Sequence, residues 1–301
     1  MPHPLGVMTW NVRYFGHGLG GLRATDAWMR RIAEGLGSLD ELPDVVALQE
    51  VETRSLRAGL HPEPQLNRFL RHLHEVLDGR GVTKRYRGLY FPAHAYRLGP
   101  ASPLYTTGLA VLVADDVEVL GRHAIHDITC VRLASFERLK QRRIAAHVRL
   151  RRAGDDEAID LFNTHFSLPA FLEVGPHRVP DRMGHGTNQM REAQRLMRFV
   201  RKHGGSRAVV VGDLNTLPGS PVYAAIARAG LRDAFADTRA MGLDELLGWA
   251  TARFLHKRMH IDHVFSTPGL RWLEFAEHHV DAGPLVGLSD HAPKVGWLHP
   301  G

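Results

Sequence analysis

Apolar residues along this chain gather in short runs, and many of those runs close on a polar side chain. Strand-like patterns fall over residues 5–12, 44–50, 108–113, 143–150, 158–165, 207–212, 259–266, 271–280 and 291–298. Some alternate, as in Trp272, Glu274, Ala276 and His278 against Leu273, Phe275, Glu277 and His279. Helical periodicity is clearest over 24–39, 65–77, 188–202 and 220–229. Strands and helices alternate early, whereas later strands often follow one another directly. Two sheets with helices outside them satisfy that mixture better than one parallel sheet does. Two long stretches, 167–187 and 240–258, read as irregular. The first carries Phe171, Leu172, His177 and His185, and the second mixes Leu246, Leu247, Trp249 and Phe254 with basic residues. Loops of this length are expected either as lids over a site or as surface insertions. No repeat, low-complexity tract or linker interrupts residues 1–301, which predicts one domain.

The ends of the apolar runs carry the chemistry. Thr9-Trp10-Asn11 ends in an amide, Leu48-Gln49-Glu50 in a carboxylate and Asn163-Thr164-His165 in an imidazole. Val209 to Asn215 places Asp213 and Asn215 two residues apart, Ile261-Asp262-His263 sets an acid within a strand, and Ser289-Asp290-His291 opens the last one. One Asp or Asn at a strand end is an ordinary turn former. Six such interruptions are harder to explain that way, because open α/β sheets hold ligands beyond their strand ends. Asn, Glu and Asp offer hard oxygen ligands, suited to magnesium, manganese or calcium. Such a cation beside imidazoles and carboxylates suits phosphoryl hydrolysis, which needs phosphate charge neutralised and a water activated.

Composition narrows the class without choosing the substrate. The chain of 301 residues is 44% hydrophobic and 23% charged, ordinary for a globular protein. It has no apolar run long enough to span a membrane. The first residues show neither a basic n-region nor an apolar h-region, so no secretory signal is expected. A single cysteine, Cys130, excludes an intrachain disulfide and fits a reducing, cytoplasmic compartment. The net charge of +6, with basic groups such as Lys84, Arg85 and Arg87, either favours polyanionic partners or marks a solvated face.

Competing motifs fail on detail. Gly16 to Gly21 matches G-x-G-x-x-G, yet Arg13, Tyr14 and Phe15 separate it from the strand, and the next terminal acid, Glu50, lies too far along for dinucleotide binding. A glycine loop near the site is the better reading. The chain has no P-loop, no Gly-x-Ser-x-Gly, no CxxC pair and no HExxH. His72-Leu73-His74-Glu75 reads as the polar face of one helix rather than a zinc site.

Taken in order, Thr9-Trp10-Asn11, Gln49-Glu50, Asn163-Thr164-His165, Gly212-Asp213-Leu214-Asn215, Ile261-Asp262-His263-Val264-Phe265 and Ser289-Asp290-His291 resemble the endonuclease/exonuclease/phosphatase family. The match extends over nearly the whole chain. It implies a four-layer α/β sandwich of two packed mixed sheets and a metal-dependent phosphoester hydrolase, using Mg2+ or Mn2+. It also implies that Glu50 is the principal metal ligand, with Asn11 and Asp290 close to the ion. Asp213 would orient or deprotonate water, with Asn215 positioning that water or the phosphate. His291, paired with Asp262, would contact phosphate or act as base, and His165 would stabilise or protonate the leaving oxygen. Asn163-Thr164-His165 looks like the secreted-deoxyribonuclease, sphingomyelinase and inositol-phosphatase branches. Met259-His260 before Ile261 departs from the commoner Arg-Ile-Asp. The implied substrate is nucleic acid or a phospholipid or inositol-phosphate type of ester. The alternative from another class is a binding module that keeps the fold without catalysis.

Overall fold

The computed structural model describes residues 3–97, 103–129, 141–169, 180–254 and 256–299. Two six-stranded mixed sheets pack face to face with helices outside them, a four-layer α/β sandwich. The first sheet runs β13 (Trp272–Phe275), β14 (Lys294–Leu298), β1 (Leu5–Asn11), β2 (Val45–Val51), β4 (Tyr105–Ala114) and β3 (Tyr86–Tyr96). The second runs β5 (Val117–Asp127), β6 (Ile144–Arg152), β7 (Ile159–His165), β8 (Ala208–Asp213), β12 (Asp262–Ser266) and β9 (Arg232–Asp233). A small hairpin, β10 (Ala252–Phe254) with β11 (Lys257–Met259), stands apart from both.

The layering follows from period-two burial. In the second sheet Leu161, Val209, Val211 and Val264 join the core shared with the first sheet, while Phe162, Val210 and Phe265 meet the outer helices. Both faces are covered, so the central strands read as unbroken apolar runs. Outside the first sheet lie α1 (Asp26–Gly37) and α2 (Gln65–Gly79), which insert Met29, Ile32, Leu36, Phe69 and Leu73. Thr25 caps α1 by accepting from the Trp28 N–H. His72 and His74 sit on α2, bonded to Asp26 and to the Tyr86 N–H respectively, as a polar face does. Outside the second sheet lie α3 (Thr187–His203) and α4 (Pro221–Arg228), where Pro221 starts a helix capped by Ser220.

Several expected boundaries move. Residues 240–258 are not irregular throughout: they hold α6 (Leu243–Gly248) and the β10–β11 hairpin, and α5 (Ala234–Thr238) precedes them. These elements are too short for a periodicity to show. The strand expected over 271–280 stops at Phe275, because the His278 N–H turns back to the Ala276 carbonyl. The last strand starts at Lys294 rather than 291, directly after Pro293, which has no N–H to give a ladder. The segment 259–266 divides into β11 and β12. Two long strands, β3 and β5, were not expected at all. Of the stretch 167–187, residues 170–179, with Phe171, Leu172 and His177, lie outside the described residues, as does Cys130.

Topology gathers the polar strand ends. β1 and β2 are parallel, as are β7 and β8, so Asn11, Glu50, His165 and Asp213 finish at the same end of the sandwich. β12 and β14 run antiparallel to β8 and β1, and they begin where those strands finish. Asp262 is thereby the register partner of Asp213. Just beneath this end the sheets are tied together by amides. Asn163 donates to the Leu48 and Ala110 carbonyls, both at 3.1 Å, and accepts from Gln49 Nε2 at 2.8 Å.

Candidate active site

The side chains at that end form one hydrogen-bonded constellation. Asn11 Nδ2 donates to Asp213 Oδ2 at 3.0 Å and to Glu50 Oε1 at 3.3 Å, while Asn11 Oδ1 accepts from the Arg13 N–H. The Asp213 carboxylate lies between two imidazoles, with Oδ2 3.3 Å from His165 Nε2 and 3.8 Å from His291 Nε2. Its other oxygen accepts the Asn215 N–H at 3.0 Å. His291 Nδ1 faces Asp262 at 2.9 and 3.1 Å. Asp290 pairs with Arg13, and Ser289 Oγ donates to the Asn11 carbonyl at 2.7 Å. All eight residues singled out in the sequence therefore lie at one end of the molecule. Asn11, Asp213, Asn215, Asp262 and His165 are buried there, whereas Glu50, Asp290 and His291 are partly exposed.

Local backbone geometry holds the acids in place. Gly212 has φ +142°, and a Cβ there would come within 1.9 Å of the Thr164 carbonyl oxygen. Only glycine lets β8 approach β7 this closely, next to Asp213. Glu50 sits at φ +57° in an irregularity of the β2–β4 pairing, and Asn215 sits at φ +46°. Arg13, Tyr14 and Phe15 follow one another at φ +44°, +56° and +51°. Each non-glycine residue in this region costs roughly 1–2 kcal/mol, and such strain gathers at functional sites. Asn215 is braced from two sides. Its Nδ2 donates to the Phe166 carbonyl at 3.0 Å, and its own carbonyl accepts from Gln189 of α3 at 2.6 Å.

Burial and charge set the protonation states apart. Burial, reinforced by Asp262, pushes the Asp213 carboxyl up to about 7, against the pull of His291 and the Asn11 and Asn215 bonds. Burial and the Asp290 carboxylate raise Glu50. Burial would lower His291, but Asp262, Asp213 and Asp290 outweigh it and hold that imidazole well above its usual value. His165 goes the other way, well below the usual value, through burial and the neighbouring Arg143 and His291. Arg143 Nη1 lies 2.9 Å from His165 Nδ1. A guanidinium only donates, so Nδ1 must accept, and the neutral ring presents its N–H at Nε2 toward Asp213.

A cavity of about 400 Å3 opens over these groups. Its wall includes Arg13, Arg57, Arg143 and Arg253 as well as Gly20 and Gly21 of the glycine loop. Arg57 Cζ lies over the Tyr14 ring, 3.4 Å from its centroid. It also pairs with the buried Glu52 at 3.0 Å. The arginines and Tyr14 escaped the sequence reading because basic residues are common in this chain and no motif marks these. Arg143 directly precedes β6, the strand that pairs with β7 and so with His165, a proximity no local pattern encodes.

The donor chemistry fits a hard divalent cation. Glu50 and Asp290 bring two carboxylates close enough for one to raise the other, and Asn11, whose Nδ2 reaches Glu50 while Oδ1 accepts the Arg13 N–H, would offer its oxygen to an ion by a flip of the amide. Among the described residues, Asp213, Asp262 and His291 also bring ligand atoms within 4.8 Å of one another. No helix of the described residues is long and apolar enough to cross a membrane.

Comparison with known proteins agrees with this architecture. No curated protein sequence matches the chain. Among solved structures, an endonuclease/exonuclease/phosphatase from Beutenbergia cavernae superposes with a TM-score of 0.66 at 21% identity, covering 100% of this chain and 72% of that one. The human Nocturnin catalytic domain with a bound sulfate anion gives 0.60 at 18% identity, covering 99% and 94%. TDP2 from Caenorhabditis elegans gives 0.58 at 16% identity, covering 98% and 74%. These likenesses establish the shared fold. The sequence profile of the endonuclease/exonuclease/phosphatase family matches residues 8–291, from the middle of β1 through the Asp290-His291 pair, and the chain belongs to that family of metal-dependent phosphoester hydrolases.

Proposed function

We propose that this chain hydrolyses a phosphoester bond by attack of water on phosphorus, with Mg2+ or Mn2+ as cofactor. The observation that carries the reading is the Asp213 carboxylate. It is buried, raised to about 7, and set between a neutral and a protonated imidazole. Asp213 is suited to orient a water and take its proton. Asn215 serves chiefly through its main-chain N–H, which aims one Asp213 oxygen. His291 holds the proton, with Asp262 fixing Nδ1–H and leaving Nε2 toward the cavity. It is the better candidate to protonate the leaving oxygen. His165, kept neutral by burial and then by Arg143, carries its N–H at Nε2, where a phosphoryl oxygen would take the place of Asp213 as acceptor. Glu50, Asp290 and Asn11 would hold the cation, and the bound ion would neutralise charge on the phosphate.

For the substrate, a polyanion is favoured over a zwitterionic choline ester. Four guanidinium groups line the cavity, and Arg143 has no carboxylate within ion-pairing distance among the described residues. Single- and double-stranded nucleic acid, an inositol phosphate and a choline-type phosphodiester should be assayed with Mg2+ and with EDTA. Turnover on one of the polyanions, abolished by EDTA and restored by Mg2+, is expected. Metal-dependent turnover on none of them would overturn the reading in favour of a non-catalytic binding module.

A further inference from the structure

A second group of potential ligands lies on the helix-facing side of the second sheet, away from the strand ends. His123 on β5, His147 on β6 and His203 at the end of α3 each place one ring nitrogen within 4.8 Å of the others. His123 and His147 are register partners, and their rings stack with centroids 5.0 Å apart at 14°. The His203 ring lies 4.0 Å from that of His123 and 5.8 Å from that of His147. His147 lies four positions after Arg143, which directly precedes β6, so about 13 Å of strand separates the two.

His147 is fully buried, and its two nitrogens are unequal. Nε2 lies 2.9 Å from Asp160 Oδ1, while Asp160 Oδ2 accepts the Gly205 N–H at 3.0 Å. Burial alone would raise the Asp160 carboxyl, but the bonds from His147 and Gly205 hold it below the usual range. A carboxylate only accepts, so Nε2 carries a proton, and in the neutral ring Nδ1 holds the lone pair. That Nδ1 is buried and has no hydrogen-bond partner. Stacking on Phe162, with centroids 4.5 Å apart, explains the buried ring but not the unmet acceptor.

We propose that His123, His147 and His203 bind one transition-metal ion of the zinc class, with Asp160 orienting His147 from behind. Imidazole ligands suit zinc, nickel or copper rather than magnesium. A carboxylate on the far nitrogen of a ligating histidine is the usual support for such a ligand. His123 is exposed, so a fourth position would face solvent. An ion here would join the β5–β6 edge of the sheet to the end of α3. This site is independent of the phosphoester reading.

The test is zinc binding to the whole chain under excess Mg2+, followed by calorimetry and by the visible spectrum of the cobalt(II) form. Wild-type protein should retain one zinc equivalent at this site. Affinity should fall more than tenfold in H203Q and in H123Q, and about 10–100-fold in D160N. Zinc affinity should also weaken as pH falls and the imidazoles protonate. His147 is left intact because its burial makes a variant there prone to misfold. H123Q alters an exposed side chain, so its metal-free circular dichroism and melting temperature should match wild type. The proposal is overturned if wild type holds no zinc under these conditions. It is equally overturned if H203Q and H123Q bind it with wild-type stoichiometry and affinity.

Discussion

Two buried aspartates stand at opposite ends of the same sandwich, and they are treated very differently. Asp44, where β2 begins, is fully compensated. Its Oδ1 meets Lys84 Nζ and Arg152 Nη2, both at 2.7 Å, and its Oδ2 accepts the Gly6 N–H at 2.7 Å. Asp213, where β8 ends, receives amides and imidazoles but, among the described residues, no lysine or arginine, and its carboxyl is driven up to about 7. The cleft beside Asp44 is the larger, about 1070 Å3 against about 400 Å3. Size therefore points to the wrong end. A buried carboxylate whose partners are imidazoles and amides, rather than a lysine or arginine, is the better mark of chemistry, because those partners leave it able to titrate.

The contrast predicts opposite phenotypes. His291→Ala should lower kcat by roughly 10³-fold, the range expected when a positioned acid–base group is lost. Asp44→Asn should leave kcat per folded molecule within about twofold. It should instead cost about 2–3 kcal/mol in urea unfolding, less than a wholly buried pair because Lys84 and Arg152 keep some contact with water. If Asp44→Asn proved inactive yet fully stable, the division between a structural and a chemical end would collapse.

A smaller effect separates the acids proposed to hold the cation from those proposed to handle the proton. Glu50→Gln removes charge beside Asp290 while keeping the Asn11 contact geometrically possible. The Mg2+ concentration for half-maximal activity should rise at least about tenfold, the scale of losses around metal ligands. An unchanged magnesium titration would remove Glu50 from that role.

The two ends also differ in how far the sequence discloses them. The central strands β1, β2, β7 and β8 are legible because burial on both faces makes them apolar, so Asn11, Glu50, His165 and Asp213 stand out as interruptions. The missed strands β3 and β5 are both sheet edges. β3 contains Pro92 and an irregularity beside it, and β5 contains Gly121 and two irregularities, which break the alternation that would mark a strand. Charge compensation is invisible to a local pattern as well. Asp44 and Glu50 look alike as acids flanking one apolar run, and only the fold shows that Lys84 and Arg152 reach the first. The same holds for Arg143, whose partner is 22 residues away on the neighbouring strand.

Arg143 gives the finest test, because its effect on His165 has a sign. The guanidinium is the second cause, after burial, of the lowered His165 imidazole, and it occupies Nδ1 as a donor. Arg143→Met should therefore let the ring titrate closer to its ordinary value and free it to exchange tautomers. In the native protein a lowered folded-state value means that stability drops as pH falls from about 6.5 toward that value, since the unfolded ring takes up the proton first. Removing Arg143 should narrow this window and make the acid side of the stability profile shallower. Nitrogen chemical shifts of His165 followed against pH would report both the titration and the tautomer. If wild type and variant gave the same midpoint and the same Nε2–H tautomer, burial alone would be fixing the ring. Arg143 would then be only a cationic wall of the cavity, His165 would stay neutral through burial, and the role given to Arg143 in holding that ring would be withdrawn.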